Sequence, residues 1–262
     1  MGSRPHRSAS VVSVLASVVF VPSAPLLVPE VAGPGATDTE AVRAATRAAG
    51  RELAGAATSW VAIGAGDDDS TAPGGLAGSF RRYGVDVAVS LGVPGPRTRV
   101  PEPEQAAAQH LDLPLSMLIA GWLRAESGVP RVEPVTTAPG SAAADCARLG
   151  AELRTAVDSD PARVGVLVVA DGATALSARS PGGGLRPAAV DLQRRIDEAL
   201  ADADTAALAA LDPEECAHAG VAGRPAWQVA AALCSGRRWV SRVLYRDAPF
   251  GVGYTVATWT PR

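Results

Sequence analysis

Val164-Gly165-Val166-Leu167-Val168-Val169 is the stretch that decides the fold. It carries valine or leucine at five of its six positions and no polar residue, so it reads as a strand buried on both faces; a strand with one wet face would alternate apolar with polar side chains. Such strands belong to sheets covered by helices on both sides. The run closes on Asp171-Gly172-Ala173-Thr174. Asp-Gly is a common turn dipeptide, but the turn also lies where open α/β sheets place groups that touch ligands, beyond the carboxyl end of a strand.

Working outward, the same alternation of element types recurs. Upstream, Ser141 to Ala156 reads as an alanine-rich helix and Val129 to Val135 as an edge strand flanked by prolines. Glu104 to Ala125 reads as helix with a boundary or kink at Pro114, and Val85 to Leu91 as a weakly alternating strand. Asp67 to Gly78 is Asp, Ser, Gly and Pro, a loop without a packed element. Trp60 to Ile63 is a short buried strand, preceded by a helix capped at Thr37 or Asp38 and ending near Ala57. Downstream, Asp191 to Ala201, Thr205 to Leu211 and Trp227 to Cys234 read as helices, and Val240 to Tyr245 and Gly253 to Trp259 as strands. The pattern predicts one α/β domain over residues 11–262, with a central, mostly parallel or mixed sheet flanked by helices on both faces; residues 1–10 form a polar, disordered leader.

Val11 to Val21 follows Arg4 and Arg7 and has the outline of a signal peptide. It is too short to span a bilayer and rich in valine, and Pro22-Ser23-Ala24-Pro25 is a poor cleavage site, so it reads as the first strand. A cytoplasmic protein without membrane association is expected, export being the minor alternative. Composition narrows the function further. The 262 residues are 47% hydrophobic, carry no lysine and have a net charge of −3, with basic residues scattered singly, which gives no footprint for nucleic acid. Cys146, Cys216 and Cys234 lack metal-ligand spacing and are expected to be buried free thiols.

Gly64-Ala65-Gly66 follows a strand but runs into Asp67-Asp68-Asp69, whose charges would repel a pyrophosphate. The acidic run suits a hard cation by chemistry, but adjacent side chains rarely converge on one ion and a solvated loop is the plainer reading. No Gly-x-Ser-x-Gly elbow is present, and Ser23 lacks an obvious histidine base. His6, His110 and His218 show no paired metal spacing. In Gly223-Arg224-Pro225-Ala226-Trp227, Arg224 reads equally as an anion binder or as a helix start, and Trp227 reads as core.

Three stretches taken together, Val19 to Glu30 containing Pro22-Ser23-Ala24-Pro25, Val164 to Gly172, and Gly223-Arg224-Pro225 with Tyr245 and Val252-Gly253-Tyr254, resemble the class III extradiol ring-cleavage dioxygenase superfamily. That superfamily includes the catalytic subunit of protocatechuate 4,5-dioxygenase and the Memo-like proteins, and the chain looks similar to an actinobacterial branch known only as dioxygenase-like. The resemblance implies non-haem iron at the strand ends and catechol-type substrates. It also implies that the ligands are replaced: Ser23 stands where the first histidine would, Asp67 where the second would, Thr174 on or near the acid/base histidine, and Ala222 where the Memo branch has cysteine. The resulting expectation is a degenerate member with no resident cofactor, whose pocket near Ser23, Asp67, Asp171, Thr174 and Arg224 binds a small molecule or a protein partner, with an oligomer also open. The alternative is an active ring-cleavage dioxygenase holding iron(II) or zinc through Asp67, His110 or His218.

Overall fold

The computed structural model describes residues 15–66, 76–92 and 113–262. Its frame is a six-stranded sheet in the order β5-β2-β6-β1-β8-β7, made of β1 (Leu15–Val21), β2 (Ser59–Ala65), β5 (Arg131–Thr137), β6 (Val164–Val169), β7 (Trp239–Asp247) and β8 (Tyr254–Pro261). A separate hairpin pairs β3 (Ala77–Ser79) with β4 (Ala88–Ser90). In the sheet β5, β2, β6 and β1 run parallel, while β8 pairs antiparallel to β1 and β7 antiparallel to β8. Every residue of β6 is buried, as its unbroken apolar run requires of a strand with neighbours on both edges and helices on both faces.

The helices are α1 (Pro29–Ala32), α2 (Glu40–Ala56), α3 (Leu115–Ser127), α4 (Ala143–Asp158), α5 (Pro187–Asp202), α6 (Thr205–Ala209), α7 (Pro213–Ala219) and α8 (Arg224–Cys234). Their division between faces follows from strand order. The chain steps from β1 to β2 to β5 in one direction, and α2 and α3 on those crossovers bury Val42, Leu53, Met117 and Leu123 with Val19, Val21 and Leu167 on one face. The return from β5 to β6 runs the opposite way. A crossover of unchanged hand then has to lie on the other face. There α4, α5 and α8 bury Cys146, Leu192 and Trp227 with Phe20, Val166 and Val168. The result is one α/β domain with a helical layer on each side of the sheet.

Local boundaries follow local chemistry. Pro114 caps α3, a boundary of the kind expected at that position, because proline fits the start of a helix and not its interior. Residues 104–112 of the helix expected to begin at Glu104 lie outside the described residues. Pro134 sits inside β5, tolerated because β5 is an edge strand whose outer side needs no ladder donor there. Two expectations need correcting. The loop expected through Gly78 ends earlier, since β3 begins at Ala77, where Gly78 leaves room for Leu113 and Leu118. The strand expected from Val85 shrinks to Ala88–Ser90, because Phe80 to Tyr83 winds into a single 3-10 turn that closes the hairpin. Residues 1–10, the expected leader, are outside the described set. The three cysteines are buried and form no disulfide, and burial pushes the Cys216 thiol up to about 11 and the Cys234 thiol up to about 12, which leaves both inert near neutral pH. Among the described residues no helix is long and apolar enough to cross a membrane.

Candidate functional site

The connection after β1 leaves toward the α2 face and the connection after β6 toward the α5 face, although the two strands are neighbours. Diverging connections open a crevice beyond the carboxyl ends of the strands, the position at which open α/β sheets bind ligands. Ser23 and Asp171 stand on its two sides, two residues past β1 and two past β6. They meet directly: the Ser23 backbone N–H donates to Asp171 Oδ1 at 2.7 Å. Asp171 Oδ2 has no hydrogen-bond partner among the described residues.

The surroundings of that carboxyl set its chemistry. Desolvation pushes Asp171 up to about 7, opposed only by the Ser23 N–H. Tyr254 opens β8 and is buried at 5% exposure. Continuing the β1–β8 register brings it level with Ser23. Burial first, then the Asp171 charge, then Tyr245 raise its phenol far above the ordinary range, so it stays protonated. The crevice therefore combines a carboxyl that changes protonation near neutral pH with a phenol that does not.

A polar relay holds the Asp171 turn in place. Gly172 N–H donates to the Gly253 carbonyl at 2.8 Å and Gly253 N–H to the Ala173 carbonyl at 2.9 Å, stitching the turn to the start of β8. Ala173 N–H donates to Gln193 Oε1 at 2.8 Å, and Gln193 Nε2 donates to Asp197 Oδ1 at 2.9 Å. Thr255 Oγ1 donates to that same Asp197 oxygen at 2.6 Å. The Gln193 amide is clamped between two glycines, since a Cβ on Gly172 or Gly253 would come within 2.0 or 2.2 Å of it. Burial raises Asp197, against the pull of Thr255, Gln193 and the Arg246 charge.

The other sequence candidates separate. Thr174 follows in the same turn, but its hydroxyl packs toward Gly182 and Gly220, and its backbone joins Ala219 and Gly182. Arg224 begins α8 at 1% exposure. Its guanidinium donates to the carbonyls of Ser141 at 2.6 Å and Pro139 at 3.2 Å and to Gln228 Oε1. Gln228 in turn donates to the carbonyls of Ala209 and Leu211. Arg224 thus cross-links the loop after β5 to α8 through its Nη1 and Nη2 groups. His218 is exposed on α7, with Nδ1 2.8 Å from the Glu214 carbonyl oxygen of the same helix. Asp67 and His110 lie outside the described residues.

Tyr254, Gln193 and Asp197 were not singled out from the sequence as site residues. A signal existed for two of them: Gln193 and Asp197 sit four apart on the stripe of α5 that buries Ala189, Leu192, Ile196 and Leu200, where a helix otherwise carries apolar side chains. Tyr254 falls in the Val252-Gly253-Tyr254 stretch that carries the resemblance, but a tyrosine opening a strand is ordinary β-sheet composition and by itself marks no site.

Iron(II) in an oxygenase needs imidazole and carboxylate ligands with open positions. Among the described residues no three His, Cys, Asp or Glu side chains gather to hold a metal. A serine and one carboxyl, the pair that meets across the crevice, do not fit that requirement.

No protein-family description matches the chain, and no curated protein matches it. Among solved structures it is similar to the crystal structure of uncharacterized protein JW3007 from Escherichia coli K12, with a TM-score of 0.50 and 11% identity over 94% of this chain and 99% of that one. That likeness concerns the fold alone.

Proposed function

We propose that this chain is a degenerate class III extradiol dioxygenase-like protein that binds a small hydroxylated molecule in the crevice between Ser23 and Asp171, without resident iron. The observation that carries the proposal is the Asp171 carboxyl at the topological switch point, one oxygen held by the Ser23 N–H and its protonation poised near neutral pH. When ionised, Asp171 accepts a hydrogen bond from a ligand hydroxyl; when protonated, it can donate one. Tyr254, locked in its neutral form nearby, keeps its proton to donate. A ligand with adjacent hydroxyl groups offers the matching pattern of donors and acceptors. The sequence resemblance supports the same class of ligand, and the replacement of a histidine by Ser23 supports the loss of the metal step.

The test is elemental analysis of protein purified anaerobically with iron(II) and zinc supplied, run beside His110→Ala and His218→Ala variants and followed by calorimetric titration with catechol. The expected result is metal well below one per chain in all three proteins, and catechol binding that weakens about tenfold or more in Asp171→Ala. Near-stoichiometric iron that disappears in either histidine variant would sink the proposal and establish a metal-dependent dioxygenase in its place.

A further inference from the structure

A second cleft, of about 240 Å³, opens at the other end of the sheet, between α4 and the amino-terminal halves of β5, β2 and β6. Helix packing explains why it exists. Helix α4 lies so close on α8 that a Cβ on Gly150 would come within 2.4 Å of the Val229 carbonyl oxygen. Arg154, farther along α4, donates to the carbonyls of Leu233 and Ser235 at the end of α8. Tied to α8 in this way, α4 leaves a wedge over the edge of the sheet.

The wedge is apolar inside and acidic at its margin. Val61 and Val164 line it from the sheet, and Leu149, Leu153 and Ala156 line it from one stripe of α4, at helical spacing. Glu133, Glu152 and Asp160 are the charged groups of the lining, all of one sign, and no arginine is among the lining residues. Glu133 lies across the β2–β5 ladder from Val61, on the same face as Val135. It makes no hydrogen bond or ion pair among the described residues, whereas Glu152 accepts from Arg148 and Asp160 caps the Ala162 N–H. A strand carboxylate that faces an apolar cleft with no ion pair or hydrogen bond of its own is the electrostatic complement of an ammonium group.

We infer that this cleft binds a small primary amine with a compact apolar body, the body seated between Val61, Leu149 and Leu153 and the ammonium on Glu133. The site is separate from the crevice at Asp171 and does not depend on what that crevice binds.

Calorimetric titration of the full chain at neutral pH with cyclohexylmethylamine, cyclohexylmethanol and cyclohexanecarboxylate tests the inference. The amine is expected to bind more tightly than the alcohol, and the carboxylate not at all. Glu133→Gln should weaken the amine by roughly fivefold to tenfold and leave the alcohol unchanged. Ala156→Trp, which fills the wedge from the helix side, should remove both. Thermal melting of each variant shows that the fold is kept, and Asp171→Asn serves as a variant whose amine binding should match the wild type. Amine and alcohol binding equally, amine binding that survives Ala156→Trp, or no amine binding to the wild-type chain would each overturn the inference.

Discussion

Asp171 joins two properties that rarely coexist in a side chain placed only for stability: a directed backbone hydrogen bond from Ser23 and a carboxyl raised to about 7 by desolvation. Because the folded value is raised from the ordinary 3.8, its contribution to stability is fully present below pH 3.8 and is lost as pH rises through about 7. Asp171→Asn removes that titration and keeps an oxygen to accept the Ser23 N–H. In urea denaturation it should match the wild type near pH 4 and exceed it at pH 8, by about 1–3 kcal/mol after allowance for the partial exposure of the side chain. Equal stability at pH 8 would show that the carboxyl is not dehydrated. Arg224 behaves differently, since its guanidinium satisfies two buried carbonyls and Gln228. Arg224→Met should cost about 3–5 kcal/mol in the same experiment at any pH between 5 and 9. The sequence placed both residues near strand or helix ends but could not separate their roles. What separates them is the loop at Pro139 to Ser141, more than 80 positions away in the chain, which supplies the Arg224 acceptors. That Ser23 and Asp171 stand just past strand ends was legible because each closely follows an unmistakable apolar strand.

At the scale of elements, α5 reaches the crevice through Gln193. Gln193 fills the space that Gly172 and Gly253 leave and fixes the Ala173 N–H, while Asp197 and Thr255 hold Gln193. Gln193→Leu has a similar shape but leaves that N–H without its acceptor and Asp197 with one donor fewer. It should lower stability by about 2–3 kcal/mol and weaken catechol binding at the crevice, as read by calorimetry. A variant that melts lower but binds catechol unchanged would confine the relay to a purely structural role. Strand content was the most legible part of this level: β6 with its apolar run, β5 with its flanking prolines, and the start of α3 at Pro114 all carry local chemistry that decides them. Of the β3–β4 hairpin, β4 falls within the strand expected at Val85 to Leu91, but β3 was not legible, because its three residues hold little apolar pattern and pack through Gly78 against α3.

For the whole molecule, protection should follow sheet position. Backbone amides of β1, β2 and β6, central and buried, should exchange slowest in hydrogen-exchange mass spectrometry. Those of the β3–β4 hairpin and of β7, an edge strand alternating with solvent, should exchange first. A pattern in which β6 exchanges with the edge would contradict the strand order. The exposed Val240 and Val243 give β7 some apolar surface, but a bulge at Leu244 and the charges of Arg242, Arg246 and Asp247 guard it against adding another strand. The strand order was beyond the reach of sequence, since periodicity identifies strands and not their neighbours. That order also has a meaning in time. β6 is the last of the parallel strands to be synthesised, yet it occupies the slot between β1 and β2. A nascent chain that has emerged only through α4 holds the β5-β2 pair with a bare apolar edge and β1 as a lone strand, because β8 follows later in the sequence, and nothing joins them. Ribosomal stalling or premature termination before Val164 should therefore yield a sticky product that depends on chaperones, whereas a chain extended through Val169 has the strand that closes the gap.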